Sequence, residues 1–239
     1  MRSLPARSSL PTATLLRLAN EADEVANSID SVATAAARYA SARKATWFRP
    51  VVRALVCLAG LGQRCMYCSG SESAQVEHFR PKVLRPELAF EWSNLLWVCG
   101  ICNLAKGDRF EVGTPPIDPF VESPWDYFFI DQFGNLTPKW DSAADDFDAR
   151  AKHTLELYGL DRQALQETRE ERLVDLRGKV IDSLTLFQNG AISREDLEMR
   201  VLNWLEQPFQ PDVADFFIAG PGALEHTEPF QQLITTLES

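Results

Sequence analysis

The stretch Cys65-Met-Tyr-Cys68, together with Cys99-Gly-Ile-Cys102, decides how the middle of this 239-residue chain folds. Each C-x2-C turn places two sulfurs on the same side, so two turns can supply four thiolates to one tetrahedral ion at Zn–S distances of about 2.3 Å. Soft thiolate ligands favour zinc, with iron a weaker alternative. Because four thiolates leave no open coordination position, the pattern predicts a structural zinc ion.

The alternative for these four cysteines is two unrelated pairs of buried side chains. Two equal spacings within a short stretch argue against that alternative, and in a reducing compartment such pairs bind metal more often than they form disulfides. The fifth cysteine, Cys57, lies near the apolar face of a predicted helix, and we expect it to pack in the core.

The residues between the two cysteine pairs, and just after the second pair, carry the groups that phosphodiester hydrolysis requires. Val76-Glu77-His78-Phe79-Arg80-Pro81-Lys82 lies between the pairs, and Asn103 follows the last cysteine. A neutral histidine can take a proton from an attacking water, because its ordinary pKa lies near neutral pH. A carboxylate and an amide oxygen are hard ligands suited to Mg²⁺. The alternative for His78 is a buried core histidine, which its neighbours disfavour.

Several cations lie close to these groups and are candidates for contacts with backbone phosphates. A positive side chain beside a phosphate positions nucleic acid without reading its sequence. For Arg85 and Arg109, ordinary solvent-exposed charge is an equal alternative. The candidates that we retain are Arg80, Lys82, Lys106 and Arg109.

This arrangement resembles the HNH endonuclease motif, the ββα-metal nuclease fold, in its four-cysteine zinc form. The resemblance implies that His78 is the general base and that Glu77 and Asn103 bind a catalytic Mg²⁺ or Mn²⁺ ion. It also implies that Asn94 braces the loop that orients His78. The sequence departs from the commoner family pattern twice, since Glu77 stands where aspartate is usual and Asn103 stands where the third letter of the name would be histidine.

A narrower resemblance covers more of the chain. It is similar to the PtuB-like HNH nuclease subunit of Septu-type and retron-associated anti-phage defence systems. That resemblance implies a role in phage defence and a partner ATPase of the ABC/SMC-like kind. The motifs that carry it are Glu-His-Phe-Arg-Pro-Lys at 77–82, Trp-x-Asn-Leu at 92–95, Cys-Asn-x-x-Lys-Gly at 102–107, Pro-Ile-Asp-Pro at 116–119 and Leu-Tyr-Gly-Leu at 157–160.

The net charge of −10 is unevenly distributed along the chain. Residues 1–64 carry a balance of +5, residues 65–110 a balance of zero and residues 111–239 a balance of −15. The basic N-terminal part permits contact with nucleic acid, either DNA, which we favour, or RNA such as tRNA. The acidic part suggests a surface that faces a partner protein, and ordinary solvated charge is the alternative for both parts.

Hydrophobic periodicity predicts a mainly α protein, a helical chain with a small zinc-bound ββα insert near its middle. We expect an N-terminal helical region over 1–64, the nuclease core over 65–110, and a linker followed by an acidic helical region over 111–239. The predicted helices are 13–44 (capped by Thr12), 48–59, 101–106, 145–158, 162–188, 193–206 and 227–237, and the predicted strands are 75–79, 95–99 and 125–130.

No apolar run approaches the ~20 residues that a membrane helix needs, and no signal peptide is recognisable, so we expect a cytoplasmic protein. Three functions remain open: a metal-dependent endonuclease, a non-catalytic zinc module that binds nucleic acid or a protein partner, and a helical regulatory subunit stapled by zinc. The set Glu77, His78, Asn94 and Asn103 favours the first, because a purely structural module has no need of it.

Overall fold

The computed structural model describes residues 2–60, 62–70, 74–205, 213 and 228–238. Helices predominate there and the strands form only two-stranded antiparallel pairs, which confirms the predicted fold class. The helices are α1 Thr12–Ala26, α2 Ser31–Ala42, α3 Arg49–Leu58, α4 Gly100–Lys106, α5 Ala149–Tyr158, α6 Gln163–Gln188, α7 Arg194–Leu205 and α8 Glu228–Glu238. The strands are β1 Ala74–His78, β2 Leu95–Cys99, β3 Phe128–Ile130, β4 Leu136–Pro138, β5 Trp140–Asp141 and β6 Asp146–Phe147.

The predicted ββα insert consists of β1, β2 and α4. In this hairpin His78 lies opposite Leu95 and Ala74 lies opposite Cys99. Every residue of β2 is buried, and the strand leads directly into α4. The Cys99 sulfur caps that helix by accepting a hydrogen bond from the Cys102 amide. Gly107, at φ +53°, ends the helix in a backbone conformation that favours glycine.

The single helix predicted over 13–44 is wrong, because the chain breaks into α1 and α2 between them. The hydroxyl of Ser28 donates to the Val25 carbonyl at 2.7 Å, and the Asp30 carboxylate accepts from the Ala33 amide at 3.0 Å. These bonds end one helix and begin the next. The predicted cap at Thr12 is also wrong, since Thr12 is the first residue of α1 and Pro11 precedes it without a side-chain cap.

The segment before α5 differs from its prediction. The helix begins at Ala149 rather than at 145, because the Asp148 carboxylate caps the Ala151 amide and residues 140–147 form the β5–β6 hairpin. Only the end of the predicted strand 125–130 is a strand, β3. Helices α6, α7 and α8 lie within one or two residues of their predicted bounds, apart from residues 206 and 227, which lie outside the described residues.

Buried apolar side chains from all parts of the chain form one continuous cluster. It includes Leu55 of α3, Val98 of β2, Leu157 of α5 and Leu176 of α6. The ββα insert is therefore embedded in the core that the flanking helices share. Cys57 does not belong to this cluster: it is exposed on α3, so its predicted core packing is wrong, because it falls on the side of the helix away from Val51, Leu55 and Leu58. None of the helices in the described part of the chain is both long enough and apolar enough to cross a bilayer.

Candidate active site and metal centre

The four cysteines of the two C-x2-C pairs converge in the core. All four are buried, and their sulfur atoms lie within 4.8 Å of one another. The sulfurs of Cys68 and Cys99 are 3.7 Å apart. That separation is far longer than a disulfide bond, and it equals the edge of a tetrahedron with metal–sulfur bonds of about 2.3 Å. The set therefore fits a four-thiolate zinc ion.

Backbone and side-chain donors surround this metal centre. The Gly70 amide donates to Cys68 Sγ and the Cys102 amide to Cys99 Sγ, both at 3.4 Å. The guanidinium of Arg162, at the start of α6, lies 3.8 Å from Cys102 Sγ and also donates to the Gly159 carbonyl at 2.8 Å. Four thiolates around one divalent ion leave a net charge of −2, which these donors partly offset. They also link the metal centre to the C-terminal helices.

His78, at the end of β1, is held so that one ring nitrogen remains available. Its side chain is only 3% exposed. Its Nε2 lies 2.9 Å from the Ala89 carbonyl. Because a carbonyl oxygen only accepts, Nε2 carries the proton and Nδ1 keeps its lone pair. Burial lowers the pKa of His78 to about 4, with the charges of Lys82 and Lys106 acting in the same direction. The imidazole is therefore neutral at physiological pH.

Asn94 connects the two ends of the loop that follows His78. Its Oδ1 accepts a hydrogen bond from the Arg80 amide at 2.8 Å. Its Nδ2 donates to the carbonyls of Arg80 and Leu88, both at 3.0 Å. The amide group thus joins the two ends of the loop 80–88, and Ala89, the partner of His78, follows directly.

Glu77 and Lys106 form an ion pair beneath the same loop. Lys106 Nζ lies 2.7 Å from Glu77 Oε1 and 2.8 Å from the His78 carbonyl. The lysine side chain is 0% exposed and that of Glu77 is 13% exposed. Burial raises the pKa of Glu77, and Lys106 opposes that rise. Lys106 at the end of α4 is thereby joined to β1 at two points, the Glu77 side chain and the His78 carbonyl.

One cavity of about 300 Å³ brings the candidate catalytic groups together. Glu77, His78 and Asn103 all line it, beside Lys82 and Asp108. Within the described ranges, the side chains of Asn103 and Asp108 make no recorded hydrogen bond or ion pair. The cavity thus offers an imidazole nitrogen, carboxylate oxygens and an amide oxygen to whatever enters it. Oxygen donors of this kind suit a hard divalent cation.

A model of the HNH endonuclease family matches residues 65–109, the segment that holds the metal centre and the residues of this cavity. The chain carries an HNH endonuclease domain. Septu protein PtuB of Bacillus thuringiensis is 36% identical to this chain over 83 residues. The matched segment covers 33% of this chain and 32% of that relative, so the chain spans about a third of the relative's length.

The four predicted phosphate contacts of the HNH domain occupy different environments. Lys82 lines the cavity and can meet a ligand there, whereas Arg80 is exposed outside the cavity lining. Lys106 is a correction, because its ammonium is buried between Glu77 and the His78 carbonyl.

Arg109 is exposed, so its role as a phosphate contact stays a prediction. Its guanidinium donates to the carbonyls of Ala105, Lys106 and Leu157, where it caps the end of α4 and contacts α5. The sequence gives no warning of these partners, which are backbone oxygens brought together only by folding.

Two further residues at the HNH domain were not predicted from its motif. Tyr39 of α2 packs against His78, with ring centroids 4.4 Å apart and the planes at 63°. No local motif could reveal a neighbour 39 residues away in sequence. Asp108 could have been found, since it directly follows Cys-Asn-x-x-Lys-Gly and an unpaired carboxylate beside a predicted metal site is a chemical signal. Of the other two histidines, His153 is half-buried on α5, and His226 lies outside the described residues.

Proposed function

We propose that this chain is a metal-dependent endonuclease that hydrolyses phosphodiester bonds in nucleic acid, with His78 as its general base. The observation that carries this proposal is the position of the His78 ring. Its Nε2 donates to the Ala89 carbonyl, which leaves Nδ1 for a water molecule in the cavity that Glu77 and Asn103 also line. General-base histidines require this combination of a fixed tautomer and a free nitrogen.

The neutral state of His78 suits the first step of hydrolysis. A base must be unprotonated before the attack, and the lowered pKa of His78 secures that state at physiological pH. When an anionic phosphate enters the cavity, its charge raises the pKa of the imidazole. His78 then holds the proton from water more strongly in the presence of substrate than in the free protein.

Glu77 and Asn103 are the residues that would hold a Mg²⁺ or Mn²⁺ ion. Such an ion supplies charge stabilisation to the phosphoryl and leaving oxygens. Lys106 fixes the Glu77 carboxylate through one of its oxygens and opposes the rise in its pKa on burial, which supports a role for Glu77 as a ligand despite its extra methylene relative to aspartate. Asn94 acts on this site only indirectly, by bracing the loop that carries the partner of His78.

The metal centre of the four cysteines is proposed to hold a structural zinc ion. Its sulfurs are all buried, and the centre is enclosed by protein donors rather than open to the cavity. Arg80 and Lys82 are the proposed phosphate contacts, since they are the two candidate cations whose charged groups are not occupied by internal carbonyls or carboxylates in the described part of the chain. A phosphate bound by them would approach His78 from the open side of the cavity.

We further propose that the protein is the nuclease effector of an anti-phage defence system and works with an ABC/SMC-like ATPase in the cytoplasm. The support is the similarity to Septu protein PtuB over 83 residues, which cover 32% of that relative. The balance of −15 over residues 111–239 suits a surface that meets a protein rather than a second nucleic-acid site.

The experiment that tests this function is a cleavage assay with the purified chain on supercoiled plasmid and on total tRNA. Each substrate is incubated with Mg²⁺, with Mn²⁺ and with neither ion, in the presence and absence of the proposed ATPase partner. We expect metal-dependent cleavage, with plasmid DNA the preferred substrate. A chain that binds nucleic acid but cleaves neither substrate under any condition is a non-catalytic zinc module, the competing function.

A further inference from the structure

A second cavity, of about 420 Å³, adjoins the catalytic one. Asp108 lines both cavities, so the two share a wall at the end of α4. The volume lies within the range of roughly 300–1,000 Å³ that small-ligand pockets occupy. A nucleic-acid strand that placed a phosphate at His78 and ran past Asp108 would bring its next nucleotide to the second cavity.

The walls of the second cavity suit a flat aromatic group. Leu84, Phe110 and Leu157 supply apolar surface. The ring of Phe110 is held edge-on by Phe79, with centroids 5.6 Å apart and the planes at 81°. An aromatic side chain that is fixed in this way is a stacking platform for a nucleobase, whichever base it is.

The charges of the second cavity disfavour a phosphate there. Three carboxylates, from Asp108, Glu111 and Glu156, line it against one guanidinium, that of Arg109. The guanidinium is already engaged with backbone carbonyls of α4 and α5. A phosphodiester group would therefore meet a net negative wall. Carboxylates instead accept hydrogen bonds from exocyclic amino groups of bases.

The side chain of His153 also lines the cavity. Its Nε2 is buried from solvent, so it is not a group that a ligand in the cavity would meet. The acceptors that face such a ligand are therefore the carboxylates.

We propose that this second cavity binds the nucleobase next to the scissile phosphate and prefers a base with an exocyclic amino group. The proposal rests on the proposed nuclease function, which places a phosphate at His78, but binding of the base does not itself require cleavage. Phe110 supplies the stacking surface, and Glu111 and Glu156 supply the acceptors that separate amino bases from thymine or uracil, whose carbonyl oxygens the carboxylates repel. It follows that the preferred substrate presents at least one unstacked base beside the cut.

The test compares the binding of fluorescently labelled (dC)10 and (dT)10 to the full-length chain, measured by anisotropy without Mg²⁺ or Mn²⁺. These decamers have the same length, charge and ring size. At position 4, cytosine carries the amino group and thymine the carbonyl group that the carboxylates would distinguish, and thymine also carries a hydrogen on N3 and a methyl group on C5. We expect (dC)10 to bind about ten-fold more tightly than (dT)10. The double variant Glu111→Gln/Glu156→Gln should reduce this ratio to below two-fold, because an amide can also donate to a carbonyl. Phe110→Leu should weaken both decamers by a similar factor.

The matched control is Glu171→Gln/Glu195→Gln, which removes two exposed carboxylates on α6 and α7 outside both cavities and should leave the ratio unchanged. Equal affinity for the two decamers, or a ratio that persists in the Glu111→Gln/Glu156→Gln variant, would overturn the proposal. A preserved preference in a chain that never cleaves would instead refute the nuclease function and leave the nucleobase pocket standing.

Discussion

The buried pair of Lys106 and Glu77 allows a quantitative test of how the catalytic loop is built. In Lys106→Met, the Glu77 carboxylate and the His78 carbonyl both lose the ammonium that lies 2.7 and 2.8 Å from them. Removing one partner of a buried pair costs about 3–5 kcal/mol, because the other charge stays buried without compensation. For a chain of this size each 1 kcal/mol lowers Tm by about 2–4 °C, so we expect a fall of roughly 6–20 °C.

The pKa of Glu77 determines how the loss of stability in Lys106→Met changes with pH. Burial already raises the pKa of Glu77 in the presence of Lys106, and loss of the ammonium raises it further. A carboxyl group whose folded pKa lies above its unfolded value stabilises the fold below the unfolded pKa, and loses that contribution as pH rises through the folded pKa. The deficit of Lys106→Met relative to wild type is therefore expected to be larger at pH 8 than at pH 5.

The assay is urea unfolding, followed by circular dichroism at pH 5 and pH 8 with zinc present. Lys152→Met is the matched control, because Lys152 pairs with Asp146 at 2.9 Å on the surface, where such pairs contribute about 0–1 kcal/mol. The double variant Glu77→Gln/Lys106→Met should recover at least half of the lost stability, since it leaves no buried charge. A Lys106→Met deficit no larger than that of Lys152→Met, or one that is equal at both pH values, would refute this reasoning.

Three further substitutions test other parts of the structure. Cys99→Ser should release zinc and unfold the ββα insert, measured by metal analysis and a thermal melt; retention of stoichiometric zinc would exclude the four-thiolate site. Gly134→Ala should lower stability by more than about 3 kcal/mol in urea unfolding, because its Cβ would lie 2.3 Å from the Gln166 carbonyl at φ +77°; a loss below 1 kcal/mol would contradict this close packing of loop and helix. Asn94→Ala should lower kcat for cleavage at least ten-fold with the metal centre intact, since three hydrogen bonds to the loop after His78 are lost; an unchanged kcat would remove its bracing role.

The central ββα insert could be predicted from the sequence because metal-ligand spacing is a local signal. One cysteine pair precedes β1 and the other spans the junction of β2 and α4, so β2 was located without error and β1 within one residue. The convergence of Glu77, His78 and Asn103 on one cavity agrees with the motif, although their roles stay predictions. The division into 1–64, 65–110 and 111–239 also stays a prediction, and the core runs across both of its boundaries.

Features set by tertiary contacts or by short polar caps were missed. The break between α1 and α2 contains neither glycine nor proline, but Ser28 and Asp30 are capping residues that could have indicated it. The β5–β6 hairpin has strands of two residues each, too short for periodicity to register. Lys106 was misread as a surface cation because a lysine inside a helix is usually exposed, and nothing in its sequence neighbourhood indicates a buried carboxylate partner.

The measurement that tests the central claim most directly is cleavage of nucleic acid by the wild-type chain and by His78→Ala, with Mg²⁺ or Mn²⁺ and the proposed ATPase partner in both reactions. We predict that wild type cleaves and that His78→Ala loses roughly 10²–10⁴-fold in turnover, the usual contribution of a general base, while it keeps its zinc, its fold and its affinity for nucleic acid. Turnover by His78→Ala equal to that of wild type would contradict the assignment of His78 as the base.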